Sequence, residues 1–167
     1  MPKLIVIERS CVIDAPIDKV WGVSATDFEQ IDRWDANVKA SRAEGTATAG
    51  APIGGRVCDL YSGGQTVEVF THYDPKNHTF AYAITKGLPG FVASAVNTWS
   101  HETVADRKTK LTMRIDIVVK GVLGTLMQAP MKGQLGSVLA KAQEELKHFA
   151  ETGQPHPRKR KKQKRSR

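Results

Sequence analysis

The 167-residue sequence has little cysteine, few aromatic residues (7%) and no long apolar run. Two cysteines, Cys11 and Cys58, are too few for a disulfide scaffold and lack metal-site spacing. They read as reduced thiols packed as small apolar groups. No apolar stretch approaches the roughly 18 residues of a membrane span. Charge interrupts the N-terminus after the four apolar residues Leu4 to Ile7, too few for a signal peptide, so the protein is read as cytoplasmic. No glycine-rich spot has the spacing of a phosphate loop before a helix. Residue order suggests no Ser-His-Asp or Cys-His arrangement. His78, His101, His148 and His156 have no mutual ligand spacing, so neither metal nor other cofactor is expected.

Acid is missing from one place. Eight of the 25 Lys and Arg fall in residues 158–167, which contain no Asp or Glu. Residues 1–157 then hold 17 residues of each sign, a formally neutral body. The segment carrying Arg158, Lys159, Arg160, Lys161, Lys162, Lys164, Arg165 and Arg167 has no apolar residue except prolines. Such a segment is expected to be a disordered tail, 154–167, behind a domain of residues 1–153. Its cations suit weak contact with nucleic acid or an anionic membrane through phosphates, or simple solvation. Without an aromatic residue it cannot stack bases.

The pattern of the body is more specific. Residues 3–13, rich in Ile and Val, predict a first strand. Pro16 suits a helix start, with Val20, Trp21 and Val23 on the apolar face of 16–24. Thr26 or Asp27 can cap a second helix that buries Phe28, Ile31 and Trp34. Strands are then expected over 38–45, 53–61, 65–73, 78–86, 91–103 and 109–119. Ser62-Gly63-Gly64, Asp74 to Asn77 and Asp106 to Lys108 mark turns. Residues 130–151 carry helical spacing, from Met131 and Leu135 to Leu146 and Phe149, with Gly153 past the end. No long crossover helix separates the later strands, so the sheet should be antiparallel.

That order, with Ile13-Asp14-Ala15-Pro16, Val20-Trp21, Trp34, Gly55-Arg56, Val67-Glu68-Val69-Phe70, Tyr73-Asp74-Pro75, Tyr82 and Leu146-Lys147, resembles the START-like superfamily. Within it the chain is similar to the polyketide cyclase/dehydrase-like branch, from about Cys11 to Glu151. The resemblance implies an α+β helix-grip fold. A curved antiparallel sheet of seven strands wraps the long C-terminal helix and leaves a cavity. Two departures lie near the expected cavity mouth. Asp35-Ala36 stands where relatives often have His-Pro, and the Gly55-Arg56 spacing is displaced by one residue.

Glu68 is the leading polar candidate, because strand parity gives it a face shared with Phe70 and His72. A carboxylate there can orient a ligand hydroxyl or serve as a base; the plainer reading is a solvated or paired Glu. Lys39 matches by position a lysine that meets a ligand carboxylate in the hormone-receptor branch, unless it is simply exposed at a strand edge. His72 is a second candidate base. Trp34, Tyr61, Phe70, Tyr82, Phe91, Asn97, Trp99, Met113, Met127, Met131, Leu135 and Val138 complete the expected ligand-binding set, each also readable as core. Ser62, Gly63 and Gly64 match a gate loop in ligand-gated relatives, and Gly87, Leu88 and Pro89 the neighbouring latch; both also read as ordinary hairpin connections.

The resulting expectation is a monomer or homodimer that binds or carries a small hydrophobic or amphipathic molecule: a lipid, polyketide-like compound or isoprenoid. One alternative is a cyclase or dehydratase using Glu68 or His72 as general base. Another is a nucleic-acid or ribosome-associated protein acting through the basic tail.

Overall fold

A computed structural model describes residues 1–48 and 50–166. Seven strands form one antiparallel sheet: β1 (Lys3–Ile13), β2 (Val38–Glu44), β3 (Gly55–Leu60), β4 (Gln65–Asp74), β5 (Thr79–Lys86), β6 (Val92–Ala105) and β7 (Lys108–Val119). The order across the sheet is β1-β7-β6-β5-β4-β3-β2. The six strands β2 to β7 follow one another as neighbours, and from β3 onward each connection is short. β1 closes onto β7 in the register Ile5↔Ile117 and Ile7↔Ile115.

Alternation sets the inner face. On β7, Leu111, Met113, Ile115, Ile117 and Val119 are all buried, as their spacing predicts. β6 adds Ala95, Asn97 and Trp99, β5 adds Phe80 and Tyr82, and β4 adds Glu68 and Phe70. Each large apolar side chain so buried contributes about 1.5–3 kcal/mol. The aromatic part is contiguous: Phe28 lies 4.3 Å from Phe70, and Phe80 lies 5.2 Å from Trp99. Cys58 is buried and Cys11 half-buried, both as free thiols. Burial pushes the Cys11 thiol up to about 11, so it stays protonated at neutral pH.

Two bulges change which side chains point inward. The pairing of β4 with β5 shifts between Phe70 and His72, so the parity that placed His72 beside Glu68 fails. His72 is exposed and meets Thr79 Oγ1 at 3.1 Å, while Tyr73 turns in against Phe70. The pairing of β2 with β3 shifts between Val38 and Ala40, and Lys39 is exposed on the outside.

The short helical elements after β1 are α1 (Ile17–Trp21), a π-type turn (Gly22–Thr26) and a 3-10 segment (Phe28–Arg33). Phe28, Ile31 and Trp34 are buried as expected, but the Asp27 side chain makes no cap bond; its carbonyl accepts Gln30 N–H instead. The closing helix α3 spans Gln128–Thr152, preceded by a short α2 (Gly121–Leu126) that the sequence pattern did not predict. Leu139, Ala142, Leu146 and Phe149 are buried, whereas Met131 and Leu135 are only partly so. The second half of α3 is therefore packed and the first half stands over space. Gly136 lets the Arg9 guanidinium lie against the helix, where a Cβ would meet Nη2 at 2.9 Å. Gly153 ends α3 in the left-handed conformation at φ 72°, its N–H bonded to Phe149 O.

The basic segment departs from the expected disordered tail. Pro157–Arg165 forms a fourth helix, α4, with Pro157 in the first turn and His156 Nδ1 accepting Arg158 N–H. Arg158 binds Glu144 at 2.7 Å and buried Glu145 at 2.8 Å, both on α3. Lys159 is fully buried and donates Nζ to the Val38 carbonyl. Composition predicted solvation because it counts charged heads and not the aliphatic stems, which can pack. It also could not foresee that α3 holds a buried carboxylate needing a cation. Arg167 lies outside the described residues.

Candidate functional site

A cavity of about 440 Å³ lies between the inner face of the sheet, the 3-10 segment and α3. Of the residues expected to bind a ligand, Trp34, Glu68, Tyr82, Asn97, Trp99, Met113, Leu135 and Val138 line it. A second chamber of about 380 Å³ is lined by Leu88, Pro89, Phe91, Met127, Met131 and Leu135, among others. Ile84, Ile115, Gln134 and Leu135 border both chambers. The first chamber concentrates the polar groups; the second is almost wholly apolar.

Not every expected residue is there. Lys39 and His72 are outside, for the reasons of register given above. Phe70 is buried behind the cavity wall against Phe28. Tyr61 faces outward to α4, with Lys159 Nζ 5.1 Å and Lys162 Nζ 5.7 Å from its ring centre. Of the two glycine loops, Ser62 borders the first chamber and Leu88 and Pro89 border the second. Gly63, Gly64 and Gly87 line neither, and their φ angles of 89°, 81° and 91° account for their identity.

The dominant polar feature was missed. Arg56 on β3 is 2% exposed and paired with Glu68 on β4, Nη2 to Oε2 at 2.6 Å and Nε to Oε2 at 2.7 Å. Its Nη1 donates to the Phe28 carbonyl at 2.7 Å. The guanidinium also stacks 3.7 Å from the centre of the Phe28 ring. β3 is buried on both faces from Gly55 to Cys58, so alternation gave no sign of which way Arg56 points. Gly55 makes room for the pair: a Cβ there would run into the Glu68 carbonyl oxygen.

Asp35, the other missed residue, is nine-tenths buried on the cavity wall. Burial pushes its carboxyl up to about 6; the Asn37 N–H bond at 2.7 Å opposes the rise, and Glu145 adds to it. Its position was visible as a departure from relatives, where it replaces a histidine. Glu145 itself is tied down: Oε2 accepts Ala36 N–H at 2.8 Å and Oε1 accepts Arg158 Nε at 2.8 Å. Two further polar groups lack partners. Trp34 Nε1 and Trp99 Nε1 are the buried side-chain donors without a hydrogen bond among the described residues, and both indoles line the first chamber. An orphaned buried N–H costs about 1–3 kcal/mol.

Removing one member of the Arg56–Glu68 pair leaves the other charged and buried. Arg56→Met is expected to destabilise the fold by about 3–5 kcal/mol, and Arg56→Met with Glu68→Leu by much less. Urea unfolding of both variants measures this; equal losses would contradict a paired role.

Asp35 has the opposite sense to a salt-bridged acid. Its folded pKa lies well above that of a free aspartate, so its stabilising contribution is complete below about pH 4 and lost as pH rises through about 6. Asp35→Asn, which keeps an oxygen for the Asn37 N–H, is expected to gain roughly 2–3 kcal/mol at pH 8 and almost nothing near pH 4. Unfolding at the two pH values checks it; a pH-independent effect would contradict the assignment.

Comparison with known proteins agrees with this architecture. A START superfamily protein of Mycobacterium smegmatis superposes with TM-score 0.66 at 17% identity, covering 83% of this chain and 94% of that one. A Bacillus thuringiensis protein gives 0.71 at 15%, covering 87% and 98%. A Thalictrum norcoclaurine synthase, solved with a transition-state analogue, gives 0.70 at 13%, covering 90% and 96%. At these identities the likeness is one of fold. No curated protein matches the sequence. Residues 5–151 match the family described as polyketide cyclase / dehydrase and lipid transport, and the chain belongs to that family.

Proposed function

We propose that the protein binds and carries an uncharged, oxygen-bearing amphipathic molecule in these two adjoining chambers. The observation that carries this reading is the charge balance of the first chamber, where Glu68 neutralises Arg56, beside a second chamber that is almost wholly apolar. Glu68 uses only Oε2 toward Arg56, so Oε1 is available to accept a ligand hydroxyl. The apolar chamber suits the body of such a molecule, and burial there supplies most of the affinity.

Charge argues against a carboxylate ligand. Arg56 is the one Lys or Arg lining the first chamber among the described residues, and Glu68 already neutralises it. With Lys39 outside, an anion would meet Asp35 and Glu68 without a cation to offset its desolvation. Lipid alcohols, quinone-like isoprenoids and polyketide-like phenols fit this charge balance; fatty acids do not.

A second reading, proton transfer in a cyclase or dehydratase, is favoured by one observation. Asp35 faces the cavity with a carboxyl held near 6, a value suited to general acid–base work. His72 and Glu68 fit the role of base less well, since His72 is exposed outside the sheet and Glu68 is engaged by Arg56. Turnover that follows Asp35 titration and is lost in Asp35→Asn would support it.

Native mass spectrometry of the purified protein, followed by release and identification of any bound molecule, tests the first reading. A long-chain alcohol should raise the melting temperature, and the carboxylate of equal chain length should do so far less. Leu135→Trp, which fills the junction of the chambers, should abolish the effect. No bound molecule and no stabilisation by any amphiphile, or tighter binding of the carboxylate, would overturn it.

A further inference from the structure

α4 divides its cations between two faces. Arg158, Lys159 and Lys162 point inward to Glu144, Glu145, Val38, Asn37 and Tyr61. Arg160, Lys161 and Lys164 point outward and, with Pro157, border one shallow surface groove. Their spacing of three and four residues puts them on a single helical stripe. All three are exposed, and α4 contains no acidic residue to balance them. Like charges at such spacing destabilise a helix, so the inner contacts hold together a stripe that would otherwise repel itself. A rigid row of cations of this kind is complementary to a polyanionic surface.

We propose that the outer face of α4 docks the protein on an anionic phospholipid bilayer. The choice of a bilayer over nucleic acid rests in part on the cavity reading, since a carrier of amphiphiles must collect them from a membrane. Two observations favour it independently. α4 has no aromatic residue on which a base could stack. In addition, α2 leaves Val122, Leu123 and Leu126 exposed at 79%, 57% and 71%, an apolar patch that a bilayer interface would cover. α2 packs through Gly124 against Val119 and near the backbone of Phe91, which lines the apolar chamber. α4, through Lys159 and Lys162, holds Val38 and Asn37 on the wall of the polar chamber. Bilayer docking thereby bears directly on the elements that border the cavity.

The test uses the full-length protein and vesicles of phosphatidylcholine alone or of equimolar phosphatidylcholine and phosphatidylglycerol. Cosedimentation is expected only with the anionic vesicles and should weaken with salt. Replacing three outward cations, Arg160→Ser with Lys161→Ser and Lys164→Ser, should weaken binding on the order of a hundredfold. The melting temperature should not fall, because none of the three holds the domain and their removal relieves the repulsion along the stripe. Equal binding to neutral vesicles, indifference to the triple substitution, or displacement by polyuridylate at equal phosphate concentration would overturn the proposal. Leu135→Trp fills the cavity and leaves α4 intact, so it should keep vesicle binding; docking and cavity binding can therefore fail separately.

Discussion

A guanidinium withdrawn from water between two adjacent strands is the constraint on which the site depends. Arg56 reaches a carboxylate on β4, a carbonyl on the 3-10 segment and the face of Phe28. These contacts join the sheet to the helical segment that forms the opposite wall of the cavity. Buried pairs of this sort are poor sources of net stability, because desolvation consumes most of the attraction. Their usual effect is positional. Here the pair fixes one oxygen of Glu68, the backbone of Phe28 and the edge of the first chamber, and among the described residues it leaves no free cation inside. The character of an acceptable ligand follows from that electrostatic balance as much as from cavity shape.

A second buried charge links the body of the fold to its basic appendage. Glu145 lies in the packed half of α3 and is satisfied jointly by the Ala36 amide and by Arg158 of α4. Asp35 is one residue from that amide and responds to the charge of Glu145. The helix α4 is therefore part of the electrostatic surroundings of the cavity acid, although it lies beyond the residues matched by the family. The first half of α3, lightened by Gly133 and carrying partly buried Met131 and Leu135, covers the chambers without filling them.

Sequence pattern carried the fold well where burial follows a regular period. The alternating residues of β7 and the helical stripe of α3 could be read directly, and the order of elements then identified the helix-grip architecture. Pattern failed where one added residue changes phase. The bulge after Phe70 turned His72 outward, and that at Lys39 turned the expected ligand cation outward. Arg56 was hidden because β3 is buried on both sides, which removes the alternation that would have revealed it. The helicity of the basic segment was illegible for another reason: it depends on long-range partners, Glu145 and the Val38 carbonyl, that no local rule can pair with it.

The three tryptophans allow the most direct test of a polar ligand anchored in the first chamber. Trp34 and Trp99 line it, whereas Trp21 packs outside it against Tyr73 and His101. In a proton–nitrogen correlation spectrum, titration with a long-chain alcohol should move the Trp34 and Trp99 indole signals and leave Trp21 in place. Binding that stabilises the protein while both signals stay still, or that moves Trp21 alone, would contradict the account.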